Sequence, residues 1–78
     1  MTNEPTAAQP FQAAVGERVY LWRLVLMMGR ATLAKKADLS VDYVYRLEQG
    51  WANPRISTLH KVAAALGTTV AELLGNDG

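Results

Sequence analysis

The chain has no cysteine in its 78 residues, which excludes a disulfide framework and a thiolate metal site. Its one histidine, His60, rules out the two-histidine metal spacing, and no acid lies at helical distance from it, the nearest being Glu48 and Glu72. A glycine-rich phosphate loop and a nucleophile elbow are also missing, so the expectation is a non-enzyme that uses neither metal nor cofactor. No stretch approaches the roughly 20 consecutive apolar residues that cross a bilayer. Nor does the N-terminus, Met1 to Pro10, join a basic region to an apolar run as a secretory signal does. A soluble cytoplasmic protein is expected, with no membrane partner.

A strong excess of one charge is lacking as well, because the formal net charge is only +1. The distribution says more than the total. All eight basic residues lie between Arg18 and Lys61, where only Asp38, Asp42 and Glu48 oppose them, a surplus of five. Glu4, Glu17, Glu72 and Asp77 offset that basic middle from the ends, a layout that suits a polyanionic partner such as nucleic acid.

Seventy-eight residues bury one modest core and leave no room for a second. Residues 1–10 are polar, carry two prolines and lack periodicity, so they are expected to form a mobile tail, with a single domain over residues 11–75. From Phe11 to Met28 there is no proline, and Val15, Val19, Trp22 and Leu26 recur at helical spacing, predicting a first helix with that stripe inward. Gly29 interrupts. Arg30 to Ala37 reads as a short second helix with Leu33, Ala34 and Ala37 inward.

Ser40 is a good N-cap for a third helix running to Gln49 and stopped by Gly50. After the Gly50-Trp51-Ala52-Asn53-Pro54 loop a fourth helix, about Ile56 to Leu66, turns Leu59, Val62, Ala63 and Leu66 inward. Thr69 and Glu72 have the spacing of a reciprocal capping box and open a last helix through Leu74. The fold class is therefore all-α, with five helices.

Several segments in this order carry a resemblance: Val15-Gly16-Glu17-Arg18-Val19, Leu33-Ala34-Lys35-Lys36-Ala37, Leu39-Ser40, Tyr43 to Gly50, Asn53-Pro54 and Ala63 to Gly67. Together, from Val15 to Leu74, they resemble the Cro/CI-like helix-turn-helix family of phage repressors, restriction-modification controller proteins and small bacterial regulators. The resemblance implies a compact lambda-repressor-like DNA-binding domain. Its third helix would enter the major groove of double-stranded DNA and read base edges through Val41, Asp42, Tyr45 and Arg46.

Arg46 suits guanine O6 and N7, Asp42 a cytosine amino group and Val41 a thymine methyl. Tyr45 offers two modes, packing on sugar and base or reaching a phosphate. The resemblance assigns Arg30, Ser40, Tyr43, Asn53 and Arg55 to the DNA backbone, contacts that set register without reading sequence. Arg30 stands where relatives often carry a phosphate-gripping glutamine, and Gly29 where they carry a Ser or Thr cap. Arg23 and Glu48 match positions commonly ion-paired in the family, a structural role.

One feature departs from the family pattern. Besides its inward stripe the first helix carries Tyr20, Leu21, Leu24 and Val25, where relatives place charged residues, and an outward apolar patch of that kind marks an interface. Small family members also pair through their last helices, here Val70, Leu73 and Leu74. The expected function is a homodimeric transcriptional regulator, repressor or activator, of a bacterial or phage-encoded system, nucleoid-associated when bound. The alternative is an antitoxin- or antiactivator-type module that sequesters a second protein on the first helix.

Overall fold

The computed structural model describes residues 10–75. They form α1 (Pro10–Val25), α2 (Arg30–Ala37), α3 (Val41–Glu48), α4 (Ile56–Ala65) and α5 (Val70–Leu73), and no strand occurs among them. The tail expected over residues 1–10 lies outside the described residues except for Pro10, which opens α1. Proline suits that first position, because its fixed φ is already helical and an amide there would have no helical acceptor.

Four helices end in one way, with a residue of positive φ whose amide and successor's amide both turn back onto the helix. Gly50 (φ 82°) and Gly67 (φ 77°) do this after α3 and α4, as glycine does at little cost. Asp38 (φ 60°) does it after α2, with its amide 3.2 Å from the Lys35 carbonyl and that of Leu39 2.8 Å from the Ala34 carbonyl.

After α1 the residue is Met27 (φ 55°), whose amide bonds the Leu24 carbonyl while that of Met28 bonds the Arg23 carbonyl, both at 2.9 Å. This corrects the expected end of the first helix. The apolar periodicity ran on to Met28 and the expected stop was Gly29, yet the helix ends at Val25. Leu26, expected inward, is consequently 43% exposed on the turn, and Met27 is exposed too.

The helix starts use side chains where the sequence provides them. Ser40 Oγ accepts the Tyr43 amide at 3.0 Å and Thr69 Oγ1 accepts the Glu72 amide at 3.1 Å. The Thr69 box is closed from one side only, because the Glu72 carboxylate accepts from the Thr68 hydroxyl at 2.8 Å. Gly29 and Arg55, the N-cap residues of α2 and α4, make no side-chain cap bond.

Val15 and Val19 of α1, Leu33, Ala34 and Ala37 of α2, Val44 and Leu47 of α3, Leu59, Val62 and Ala63 of α4, Leu66 and Leu73 make one buried cluster. Within it α1 packs on α3, α2 on α3 and α4, and α5 on α1 and α4. Gly16 allows a close approach of α1 to α3: a Cβ there would stand 2.3 Å from the Leu47 carbonyl oxygen and 2.7 Å from that of Glu48. Those are backbone atoms that cannot rotate away, so α1 and α3 touch main chain to main chain. At the far end, Arg18 Nε donates to the Leu73 carbonyl at 3.0 Å, pinning the short α5 to α1. No described helix is long and apolar enough to cross a membrane.

Candidate nucleic-acid interface

Helix α3 has two unlike sides. Val44, Leu47 and Glu48 are buried, while Val41, Asp42, Tyr45, Arg46 and Gln49 are exposed. The inward residues recur at three- and four-residue spacing, which leaves 41, 42, 45, 46 and 49 together on the other face. All four residues expected to read bases are thus brought onto one exposed surface, with Val41 48% and Tyr45 39% exposed. The Ser40 cap fixes the end of the helix that carries Val41 and Asp42.

The residues expected at the DNA backbone fare unequally. Ser40, Asn53 and Arg55 are exposed, at the start of α3 and in the loop before α4. Arg55 is the N-cap residue of α4, and its side chain makes no cap bond. Tyr43 is only partly exposed and packs against the core, and burial raises its hydroxyl above the ordinary value of 10.0.

Arg30 is committed in part to the protein itself. Its Nε donates to Glu48 Oε1 at 3.1 Å, its side chain remains 38% exposed, and its guanidinium lies 5.1 Å from the centre of the Tyr45 ring.

Behind the exposed face lies the ion pair. Arg23 grips Glu48 with two donors, Nε to Oε2 at 2.6 Å and Nη2 to Oε1 at 2.9 Å, and its Nη1 donates to the Met28 carbonyl at 3.0 Å. Both side chains are nearly closed to solvent, 8% and 1% exposed. The hydrogen bond to Glu48 holds the Arg23 guanidinium above its ordinary pKa, desolvation opposes that, and the charges of Glu48 and Tyr20 add to the rise. The Tyr20 ring sits 5.5 Å from the Arg23 guanidinium, so this outward residue also roofs the pair.

Sequence reasoning missed three parts of this surround. Trp51, in the loop after α3, meets the Tyr45 ring edge to face with centroids 5.9 Å apart. Neither the Arg30 bridge to Glu48 nor the Arg18 bonds to α5 has a sequence spacing that announces it. Gly16 did carry a signal, since a glycine inside a helix usually marks close packing.

The expected interface residues divide. Tyr20, Leu21, Leu24 and Val25 are exposed on α1, the last by 79%, and an open cavity of about 290 Å³ is lined by Arg18, Leu21, Trp22 and Val25. Val70 and Leu74 are half-buried against the core. Leu73 is 0% exposed and belongs to the core, which corrects its expected place at an interface: α5 turns that side chain under α1 and α4.

The chain is 38% identical over 63 residues to the immunity repressor protein of Bacillus phage phi105, covering 81% of this chain and 44% of that protein. It therefore spans less than half the length of that relative.

The fold matches the clp gene regulator ClgR of Corynebacterium glutamicum with a TM-score of 0.81 and 27% identity, over 85% of this chain and 70% of that one. It also matches the restriction-modification controller protein C.AhdI of Aeromonas hydrophila with a TM-score of 0.78 and 29% identity, over 80% and 94%. Residues 27–76, more than half of the chain, match the model of the Cro/C1-type helix-turn-helix DNA-binding domain. With α2 and α3 joined by a three-residue turn inside that match, the chain belongs to the Cro/C1-type helix-turn-helix DNA-binding family.

Proposed function

We propose that this protein is a sequence-specific transcriptional regulator that reads an operator by laying α3 in the major groove. The observation that carries this is the division of α3, whose buried side is locked into the core while Val41, Asp42, Tyr45 and Arg46 stand together outside. Arg46 is the guanine reader, worth about 1 to 3 kcal/mol of discrimination through a bidentate contact. Asp42 and Val41 face the neighbouring bases, and Tyr45 flanks them.

Arg30, Ser40, Tyr43, Asn53 and Arg55 set the register on phosphates. Tyr43 offers its hydroxyl to the backbone from a side chain partly buried against the core. The regulator acts in the cytoplasm, nucleoid-associated when bound, as a homodimer spanning half-sites about 34 Å apart.

The exposed face of α1, Tyr20, Leu21, Leu24 and Val25, gives a surface for that pairing or for a second protein, with Val70 and Leu74 as the alternative seam. A module acting by sequestration alone is not favoured, since it leaves the exposed α3 face without a purpose. Leu21→Glu with Leu24→Glu is expected to change the oligomeric state or abolish capture of a partner; no change in either removes α1 from the assignment.

The decisive experiment titrates the protein against its own upstream DNA across a salt series, beside Arg46→Ala. Salt-sensitive, sequence-selective binding is expected, with selectivity lost in the variant. Equal affinity for operator and random duplex overturns the proposal.

A further inference from the structure

Trp51 has no place in the site as assigned, yet it is partly buried beside the outward face of α3. Its ring meets that of Tyr45 at 5.9 Å between centroids, with the planes 84° apart. A second contact on Tyr45 comes from Arg30, whose guanidinium carbon lies 5.1 Å from the ring centre. Arg30 is tied in turn by Nε to Glu48, the carboxylate that Arg23 also grips. A continuous series of contacts, Arg23, Glu48, Arg30, Tyr45 and Trp51, thus runs from the buried ion pair to the exposed face.

We propose that Trp51 and Arg30 are positioning residues that fix the Tyr45 ring before DNA arrives, so that selectivity carried by Tyr45 depends on Trp51. The inference rests on α3 being the helix that reads the groove. A tyrosine on an open helix surface samples several rotamers, and freezing it on binding weakens the complex. Edge-to-face and cation–π contacts are each weak, but here both act on one ring and come from separate segments, the start of α2 and the loop after α3. Tyr45 nevertheless keeps 39% of its surface exposed, so it is held and still available. Arg30 has a rigid planar group at this place, which a lysine would not reproduce.

The test uses the full chain and a duplex that the parent protein selects from a random pool, beside a scrambled duplex of equal length. Trp51→Leu is expected to weaken binding to the selected duplex about twofold to tenfold, the cost of leaving one side chain unfixed, with the scrambled duplex unaffected. Trp51→Phe, which restores an aromatic ring, is expected to recover the loss. In a Tyr45→Ala background Trp51→Leu is expected to have no further effect, and without DNA it should shift the Tyr45 ring-proton resonances.

Losses that add in the double variant, equal losses on both duplexes, or unmoved ring resonances overturn the inference. Should Trp51→Leu fail to fold, Arg30→Lys takes its place, and the ratio of selected to scrambled affinity must fall with Tyr45 present and hold with Tyr45→Ala. A pool that yields no preferred duplex overturns the operator reading and this inference with it, whereas additive losses overturn this inference alone.

Discussion

Arg23→Ala removes the larger partner of a carboxylate that is 1% exposed, together with a hydrogen bond to the Met28 carbonyl where α1 gives way to its turn. Breaking a buried pair from one side typically costs about 3 to 5 kcal/mol, because the remaining charge is left uncompensated. Here the loss falls near the lower figure, since Arg30 Nε still reaches Glu48 Oε1 at 3.1 Å. Glu48→Ala is the harsher change: it leaves the Arg23 guanidinium buried with only the Met28 carbonyl as acceptor, while the half-exposed Arg30 turns to water.

Against a total stability of roughly 4 to 12 kcal/mol for a domain of this size, a loss of about 3 is severe. In the melting temperature it amounts to about 12 °C or more. Thermal melts followed by circular dichroism should therefore rank parent, Arg23→Ala and Glu48→Ala in falling order. The apolar pair Arg23→Met with Glu48→Leu should recover most of the loss, as it strands no charge. A melt of Arg23→Ala that superimposes on the parent, or an apolar pair that melts as low as Arg23→Ala, refutes the reasoning.

Gly16→Ala is expected to destabilise by about 1 to 3 kcal/mol in urea, because its Cβ would meet two backbone carbonyls of α3. The sign is informative, since the same change on an open helix face stabilises by about 1 kcal/mol. Burial raises the Tyr43 pKa above 10.0, so the folded state holds that proton more tightly and stability falls as pH rises past the ordinary tyrosine range. Tyr43→Phe should lose less stability than the parent over that alkaline window, measured by urea midpoints at several pH values. Arg55→Ala should lower the salt slope of operator binding by about 1 and leave base preference unchanged, as a phosphate contact does.

Much of the fold was legible because local signals and burial agreed. The stripes on α2 and α4, the Ser40 and Thr69 caps and the glycine turns at 50 and 67 lie where pattern and turn chemistry placed them. The end of α1 was not legible. Apolar residues continue through Met28, so periodicity had no reason to stop, and the stop uses a methionine in a backbone conformation that L-residues avoid. Leu73 was misplaced for a related reason: four helical residues are too few for periodicity to tell an inward leucine from an outward one.

The division of α3 into an inward and an outward side followed from sequence spacing alone. How that outward side is held did not. Arg30, Tyr45 and Trp51 lie on three different segments, 15 and 6 residues apart, so no single helix or strand period relates them, and only the folded turn between α2 and α3 and the loop after α3 bring them together. Residue spacing and capping were enough for the five helices, for the inward stripes of α2, α3 and α4 and for the side chains that α3 offers to a partner, because periodicity and capping act within a few residues. The tertiary structure decided which guanidinium shares the buried carboxylate, how closely α1 meets α3 and what steadies Tyr45, because those contacts depend on side chains far apart in the chain meeting at distances that no local rule sets.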